Sequence, residues 1–205
     1  MRVLPSGSTA LLLELNDLDQ VLAWYTALSE ERPDGVIDIV PAARTILLMT
    51  DPAVSDLAEV ERAVRKTRPR PGRRAGGKLV EIPVSYDGED LDDVASLLGC
   101  DADEVVRRHS GEEWTVAFCG FAPGFGYLAG VSGGWDVPRR PSPRTKVPTG
   151  SVALAGEFSG IYPRASPGGW QLIGHTELAV FDLQRDPPAL LGPGTPVRFV
   201  DVDRA

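Results

Sequence analysis

Apolar positions in the first 75 residues of the chain follow the spacings of both helices and strands. A helix is predicted after Asp17, which can cap it, because apolar residues recur there every three or four positions, and a second helix is predicted over 55–67. The apolar runs predict three strands, two of them joined by a short turn, at residues 10–15, 36–40 and 45–49. Two helices on one face of a small antiparallel sheet make an α+β sandwich. Residues 1–75 are therefore predicted to be a small α/β sandwich domain.

The rest of the chain, residues 78–205, is predicted to be mainly β, because short apolar runs alternate there with glycine and proline. One helix is predicted over 91–98. A second is predicted to end at Gly111, with Asp101 and Glu104 forming an acidic variant of the capping box. The predicted strands lie at residues 78–85, 113–120, 151–155, 170–173, 178–181 and 196–202. Many short strands with few helices indicate a closed or nearly closed barrel.

The composition is that of a globular protein, with 42% hydrophobic and 24% charged residues in a chain of 205. A net charge of −8 disfavours nonspecific binding to nucleic acid or to an anionic membrane. No apolar run approaches the roughly 20 residues of a membrane-spanning helix, and the start of the chain makes a poor secretory signal. Two cysteines without a CxxC pair and only two histidines argue against a disulfide framework and a four-ligand zinc site. We expect a reduced, cytoplasmic protein that holds no metal.

A basic segment at residues 62–78 separates the two predicted domains. It contains eight lysine and arginine residues and no acidic residue, and prolines and glycines interrupt it. Such a composition is typical of a solvated linker rather than of a recognition helix. Contact with an anion or a partner is the alternative.

Residues 159–176, SGIYPRASPGGWQLIGHT, are the most unusual stretch of the chain, because they combine four glycines and two prolines with large aromatic residues. Glycine weakens strands and proline removes ladder donors, so this composition does not suit an ordinary strand. It suits a backbone that turns sharply and lets a ligand approach closely. We interpret it as one wall of a ligand site, with an ordinary glycine-rich hairpin as the alternative. Its candidate substrate-binding residues are Tyr162, Ser166, Gly168, Gly169 and Trp170.

A second glycine-rich motif, GFAPGFGYL at residues 120–128, follows a predicted strand. A proline followed by glycine is a turn signal, and the aromatic side chains could either line an apolar pocket or pack in the core. The candidate substrate-binding residues here are Phe121, Pro123, Phe125 and Tyr127. The motif matches no nucleotide-binding fingerprint, so we expect that this chain alone binds no ATP.

The loop at residues 138–148, PRRPSPRTKVP, holds four cationic residues among four prolines. Proline stiffens a loop, so its cations can be held with a smaller loss of entropy than in a flexible one. Arginine presents a planar fork that suits a carboxylate or a phosphate. Arg144 is the candidate to stabilise negative charge on a substrate, and a basic surface loop is the alternative.

The two histidines and the acidic residues near the glycine-rich segment complete the candidate chemistry. His109 is predicted at a helix end, where its positive charge would interact favourably with the helix dipole. His175 follows a predicted strand and could be a general acid or base, or make a simple structural hydrogen bond. Glu157 and Glu177 flank the segment and could also transfer a proton. A serine triad is disfavoured, because Gly156–Gly160 lacks the spacing of a nucleophile elbow.

The segments HSGEEWTVAFCGFAPGFGYL, PRRPSPRTKVPTGSVALAG and GIYPRASPGGWQLIGHT, together with the closing LLGPGTPVRFVDV, resemble the KipI/PxpB family. Members of that family are known as 5-oxoprolinase subunits of the PxpB type and as allophanate hydrolase subunit 1. The resemblance implies a cyclophilin-like β-barrel after a small α/β domain. It also implies a KipA/PxpC-type barrel partner and, in the 5-oxoprolinase assembly, a PxpA-type third subunit. That complex opens 5-oxoproline to glutamate with ATP and water. The resemblance implies that ATP, with magnesium, is bound by the complex and not by this chain alone.

The chain departs from the usual family pattern at four positions. Phe158 replaces an amide side chain, Glu157 a glycine, His175 an arginine and Glu177 a proline. Loss of an amide and a guanidinium removes fixed donors for a carboxylate or carbonyl group. The leading hypothesis is a subunit of a hetero-oligomeric ATP-dependent amidohydrolase, with the catalytic candidates His175, Arg144 and Glu157. The alternatives are a carboxyltransferase component of a urea- or allophanate-related enzyme and a binding module that inhibits a histidine kinase.

Overall fold

The computed structural model describes residues 1–70 and 78–203, which fall into two compact units on either side of residues 71–77. The first unit contains a four-stranded antiparallel sheet built from β1 (Arg2–Pro5), β2 (Ala10–Glu14), β3 (Val36–Pro41) and β4 (Thr45–Thr50). The strands lie in the order β1-β2-β4-β3. The sequence predicts the last three strands but not β1, a short edge strand without a fully buried residue. An edge strand that buries little lacks the apolar pattern by which strands are recognised.

Two helices pack against one side of this sheet. Helix α1 (Leu18–Glu30) begins where the Asp17 carboxylate accepts a hydrogen bond from the backbone nitrogen of Gln20. Helix α2 (Leu57–Lys66) begins with a complete capping box between Asp56 and Glu59. Side chains from both helices share a single buried cluster with the strands. The predicted arrangement of two helices on a small antiparallel sheet is therefore present in this unit.

The predicted linker is partly wrong. Arg62, Arg65 and Lys66 belong to α2, where Val60 and Val64 are buried and Arg65 pairs with Glu61. Apolar residues spaced by four hold this segment against the sheet despite its basic charge. Residues 71–77 of the predicted linker lie outside the described part of the chain. The domain boundaries at 75 and 78 stay a prediction.

The second unit contains a seven-stranded sheet. Its strands are β5 (Val80–Val84), β6 (Trp114–Cys119), β7 (Gly126–Gly130), β9 (Ser151–Ala155), β10 (Phe158–Ile161), β12 (Gln171–His175) and β13 (Pro196–Asp201). They lie in the order β12-β9-β10-β7-β6-β13-β5, and β13 with β5 is the parallel pair. The two edge strands approach each other, because Ser85 and His175 exchange backbone hydrogen bonds of 3.0 and 2.9 Å. The sheet therefore curves into a nearly closed barrel, as the many short strands predict.

Smaller elements complete the second unit. Helix α3 (Leu91–Leu98) ends at Gly99, whose φ of 69° lies in the left-handed region that glycine tolerates. Helix α4 (Ala102–Gly111) begins where Asp101 accepts a hydrogen bond from the backbone nitrogen of Glu104. A separate two-stranded ribbon pairs β8 (Arg144–Val147) with β11 (Ser166–Gly168). Both predicted helices are confirmed.

At β9 the barrel-like sheet is buried on both faces. The five residues of this strand are all buried. Val152 and Leu154 join a large cluster with side chains of the other strands and of α3 and α4. Ala153 and Ala155 point to the opposite face and join a smaller cluster that contains the aromatic residues Phe125, Tyr162 and Trp170. Successive side chains of a strand alternate between faces, so a continuous apolar run is the signature of a strand covered on both sides.

Glycine and proline account for the strands that the pattern does not predict. Strands β7, β8, β10 and β11 are short and lie in the segments rich in these residues. Conversely, the strand predicted at 178–181 is wrong, since only an isolated bridge between Phe181 and Ala189 forms there. Within the described residues, no helix combines the length and the apolar character that crossing a membrane requires.

Candidate functional site

The Asp90 carboxylate is the centre of a polar cluster that joins four segments of the second unit. Its side chain is only 2% exposed. Oδ1 accepts hydrogen bonds from Nη1 of Arg140 at 2.6 Å and from Nη2 of Arg144 at 2.8 Å. Oδ2 accepts one from the backbone nitrogen of Leu172 at 2.7 Å, and the Asp90 backbone nitrogen donates to the Leu172 carbonyl at 2.9 Å. The start of α3, the basic loop, β8 and β12 thus meet at one side chain.

Two opposing effects set the charge of Asp90. Burial by itself raises the pKa of this carboxyl, but hydrogen bonds from Arg144 and Leu172 and the charges of Arg144 and Arg140 outweigh it, so the pKa lies below its usual value. The hydrogen bond to Asp90 in turn raises the pKa of Arg144. The cluster is therefore ionised at neutral pH, with two guanidinium groups on one buried carboxylate.

The basic loop lies directly on the glycine-rich segment. The backbone nitrogen of Arg140 donates to the Gly169 carbonyl at 2.8 Å, and Arg144 is the register partner of Gly168 in the β8–β11 ribbon. A Cβ atom at Gly168 would collide with the Tyr162 hydroxyl, so the close approach requires glycine there. The structure thus brings the loop and the candidate residues Ser166, Gly168 and Gly169 together.

Aromatic candidates from both glycine-rich motifs form one cluster beside this ribbon. The Phe125 ring lies edge-on to Tyr162, Trp170 and Tyr127, with centroids 5.1–5.4 Å apart. Tyr127 also contacts Trp170 at 5.5 Å and Phe158 at 5.8 Å. Phe125, Tyr162 and Trp170 are buried, so much of the cluster is core packing, one of the two roles that the sequence leaves open.

Phe121 is the exposed member of the cluster. Its ring contacts Phe125 at 5.3 Å and Tyr162 at 6.1 Å, yet the residue is 58% exposed. Its φ of 64° is positive, a conformation that is strained for a bulky residue and that recurs at functional sites. Pro123 is exposed in the same turn between β6 and β7. The turn therefore presents an aromatic face to solvent at the edge of the cluster.

The charges of the basic loop reach the aromatic cluster. Burial raises the pKa of Tyr162, and the positive charges of Arg139 and Arg144 lower it in part. Arg139 has the same effect on Tyr127, whose pKa burial also raises. An aromatic surface and a group of arginines are therefore neighbours. Such a combination suits a small planar ligand that carries a negative charge.

His175 lies elsewhere, at the far end of β12, roughly 13 Å along the strand from its start. Its Nδ1 atom is 2.8 Å from Oδ1 of Asp87, and Nε2 is 3.8 Å from Oε1 of Glu177. The hydrogen bond to Asp87 and the charges of Asp87, Glu177 and Asp203 raise the pKa of His175, while partial burial opposes them. This geometry fits a carboxylate-oriented general acid or base and also a structural bond at the barrel closure.

Glu157 occupies the two-residue turn between β9 and β10 and is exposed to solvent. Its neighbour Phe158 packs against Phe118 and Tyr127 in the aromatic cluster. The structure therefore places Phe158, but not the Glu157 carboxylate, against the proposed wall of the site. That Glu157 and His175 are catalytic stays a prediction.

His109 is not a charged helix cap, contrary to the sequence-based prediction. It is fully buried, and burial lowers its pKa to about 3, so it is neutral. The Tyr86 hydroxyl lies 2.7 Å from Nδ1 and the Ser159 hydroxyl 2.8 Å from Nε2. Its ring also stacks on Phe199 at 4.3 Å. Packing of α4 against β13 buries the ring. A charge buried without a counter-ion costs more free energy than the helix dipole would return, so the neutral form is favoured.

Asp90 is the site residue that sequence reasoning missed. It precedes α3 among several acidic residues, where it has the appearance of an ordinary helix cap. In the structure its side chain makes no capping hydrogen bond and accepts hydrogen bonds from the two arginines instead. Its partners are 50 to 82 positions away in the chain, so no local signal identifies it.

Comparison with known proteins agrees with this architecture. The family model for the carboxyltransferase domain, subdomain C and D, matches residues 1–191. A protein of Escherichia coli O157:H7 that is named as a subunit of 5-oxoprolinase is 40% identical over 202 residues, which cover 95% of this chain and 93% of that protein.

Solved structures at a higher and a lower sequence identity show the same fold. The crystal structure of TTHA0988 superposes with a TM-score of 0.77 and 38% identity over 95% of this chain, which spans only 40% of that longer chain. The Kluyveromyces lactis urea carboxylase has a TM-score of 0.75 over 98% of this chain and 23% of its own, but at 17% identity it shows the fold alone. The aromatic and arginine site described above is thus built on a known fold, and the chain belongs to the carboxyltransferase-domain family, subdomains C and D.

Proposed function

We propose that this chain is one subunit of a hetero-oligomeric ATP-dependent amidohydrolase that converts 5-oxoproline, ATP and water to glutamate. The observation that carries the proposal is the 40% identity, over nearly the full length of both chains, to a protein named as a 5-oxoprolinase subunit. The site chemistry supports it. A flat cyclic amide could pack on the exposed ring of Phe121, and its carboxylate would be attracted by Arg144 and the other arginines of the basic loop.

The residues of this chain would bind and orient the substrate. ATP would activate the unreactive amide by phosphorylating its oxygen, with ADP as the leaving group. Water would then attack the amide carbon, the C–N bond would break to open the ring, and a second water would release phosphate from the acyl phosphate to give glutamate. Positive charge from Arg144 would stabilise oxygen atoms that become more negative along this path. We assign ATP and its magnesium to the assembled complex, because the sequence of this chain contains no phosphate-cradling motif.

His175 and Glu157 are our candidates for proton transfer. His175 already has a carboxylate on Nδ1, which orients the ring. Nε2, which lies 3.8 Å from Oε1 of the exposed Glu177, would be the atom that contacts a substrate or water. In the described part of the chain neither His175 nor Glu157 is hydrogen-bonded to the arginines, whose partners are Asp90 and Glu89. We propose that substrate reaches both residues only in the assembled complex, where a partner completes the site.

The partner is proposed to be a KipA/PxpC-type barrel subunit. This chain spans 93% of the protein from Escherichia coli but only 40% of the TTHA0988 chain. Homologous sequence therefore occurs both as a whole protein and as part of a longer chain. A longer chain of this kind can carry two interacting parts together, as a fused form of the proposed pair.

Co-expression with the neighbouring barrel-type subunit tests the proposal. The purified complex is assayed for ADP release with and without 5-oxoproline. We expect release that depends on 5-oxoproline and that is lost in Arg144→Ala and His175→Ala complexes of unchanged size. Arg198→Ala is the matched control, because Arg198 is exposed and pairs with the exposed Glu81 at 3.5 Å, away from the arginine cluster. A stable complex that releases no ADP with 5-oxoproline contradicts the proposal.

A carboxyltransferase component of a urea- or allophanate-processing enzyme is the second candidate. The description of the matching family as a carboxyltransferase domain favours it. In that case the complex would act on urea or allophanate in place of 5-oxoproline, and the same purified material can be assayed with either compound. Failure to form any complex would favour the third hypothesis, a stand-alone inhibitor of a histidine kinase.

A further inference from the structure

Arg140 and Arg144 present an unusual arrangement, because their guanidinium groups converge on one oxygen atom. Nη1 of Arg140 and Nη2 of Arg144 both donate to Oδ1 of Asp90, at 2.6 and 2.8 Å. Because both nitrogens bond to the same oxygen, the distance between them cannot exceed the sum of these two hydrogen-bond lengths. One buried carboxylate brings two like charges together and compensates only one of them.

Donors on both arginines remain unused. Among the residues that the structure describes, Nε of Arg140 and Nη1 of Arg144 are buried and have no hydrogen-bond partner. Buried polar atoms are nearly always paired, so unpaired donors of cationic groups need an explanation. A ligand that supplies acceptor oxygens would provide one.

The adjoining glycine-rich segment adds two more polar atoms that have no partner within the described residues, Oγ of Ser166 and Oε1 of Gln171. Ser166 is 7% exposed, so its hydroxyl is buried within the fold. Gln171 holds the basic loop through a 3.1 Å hydrogen bond from Nε2 to the Pro138 carbonyl. Polar atoms without partners thus occur on both segments that meet at this place.

Glu89 shows that a carboxylate can reach the cluster from solvent. Its side chain is 77% exposed, yet Oε2 accepts a hydrogen bond from Nη2 of Arg144 at 3.1 Å. An exposed ion pair of this kind is weak. Since Asp90 compensates one of the two positive charges, Glu89 serves as the counter-ion of the second, and a ligand carboxylate could take its place.

We propose that Arg140 and Arg144, positioned by Asp90, form a subsite for a carboxylate group of the ligand, with which Glu89 competes. The free donors of two planar forks suit the two oxygens of a carboxylate. The exposed ring of Phe121, whose centroid is 6.1 Å from that of Tyr162, would pack on the rest of a small ligand. The identity of that ligand as 5-oxoproline rests on the proposed function, whereas the subsite does not.

Isothermal titration of the purified complex tests the subsite with three probes. These are 5-oxoproline, 2-pyrrolidinone, which has the same ring without the carboxylate, and inorganic phosphate. We expect 5-oxoproline to bind and 2-pyrrolidinone to bind at least about tenfold more weakly, as loss of a charge-assisted hydrogen bond predicts. Equal affinity for these two compounds, or no binding of any probe, overturns the proposal. Phosphate binding that depends on Arg144, without binding of 5-oxoproline, supports the anion subsite but overturns its assignment to a carboxylate.

Two substitutions are expected to shift the affinity in opposite directions. Arg144→Gln should weaken 5-oxoproline binding by about tenfold or more. Glu89→Gln should strengthen it by about twofold to fivefold, because it removes the competing charge. Glu89 is exposed, so its variant keeps the test valid if Arg144→Gln folds poorly, and Arg198→Gln is the control. Unchanged affinity in both test variants contradicts the subsite.

The outcomes separate the subsite from the proposed function. Turnover of 5-oxoproline with an unchanged KM in Arg144→Gln would leave the function standing and overturn the subsite. Conversely, Arg144-dependent binding of a carboxylate without any turnover would support the subsite and contradict the proposed reaction.

Discussion

Replacing Asp90 by alanine should destabilise the second unit more than any other single change in the polar cluster. The substitution leaves two guanidinium groups without their shared acceptor and leaves the backbone nitrogen of Leu172, now paired with Oδ2, without a partner. Removing one partner of a buried ion pair costs about 3–5 kcal/mol. Arg144 and Arg140 keep 17% and 31% exposure and regain some hydration, so we expect the lower end, about 3 kcal/mol.

Urea denaturation followed by tryptophan fluorescence measures this loss. Three of the four tryptophans, Trp114, Trp135 and Trp170, lie in the second unit, so the signal reports mainly on that unit even if the first unfolds separately. Asp93→Ala is the control, because Asp93 is an exposed acid in the first turn of α3. A loss below about 1 kcal/mol for Asp90→Ala would show that the carboxylate does not hold the cluster together.

The same position has a defined pH dependence. The pKa of Asp90 in the folded protein lies below its usual value, so its stabilising contribution is present above the ordinary aspartate range and is lost as the pH falls through the folded pKa. The difference in the free energy of unfolding between wild type and Asp90→Asn should therefore be full at pH 7 and shrink in acid. A difference that grows as the pH falls refutes the electrostatic explanation.

Three further predictions concern single residues. Burial lowers the pKa of His109 to about 3. The free energy of unfolding of the wild type should therefore fall by about 1.4 kcal/mol per pH unit as the pH falls below about 6.5. Urea titrations of His109→Gln at several pH values should lack this slope. Asp87→Asn should lower the pKa of His175 in an NMR titration. Any stabilisation from that pair is present below pH about 6.5 and is lost as the pH rises through the raised pKa. Phe121→Gly should not lower stability, because it relieves strain of about 1–2 kcal/mol at a positive φ, while ligand affinity in the titration above should fall.

Local signals in the sequence account for much of the second unit. Helix α3 begins and ends as predicted because apolar spacing and Gly99 act within a few residues of each other. Strand β9 is recognisable as a continuous apolar run because both of its faces are covered. The strands of the glycine-rich segments are not recognisable in this way. Strand β11, with one buried serine beside a proline and a glycine, forms because β8 supplies its hydrogen-bond partners.

The candidate site likewise has features that the sequence predicts and features that only the structure shows. The sequence identifies the aromatic motif, the basic loop and the glycine-rich segment, and the structure brings these three together. Within the described residues, the hydrogen bonds of Arg140 and Arg144 go to Asp90 and Glu89 and not to His175 or Glu157. Asp90 could not have been chosen from the sequence, because its role depends on partners that chain folding supplies.

The sequence alone determined which residue types are present and where the chain can turn, pair or form a helix, since these depend on neighbours within a few positions. It thus specified a small α/β part, a mainly β part and the set of arginines and aromatic rings for which we propose binding of a planar anion. Only the tertiary structure decided that Arg140 and Arg144 share the Asp90 carboxylate and that His109 is buried and neutral. Burial and ion pairing act between residues distant in the chain, and they fix both charge state and position.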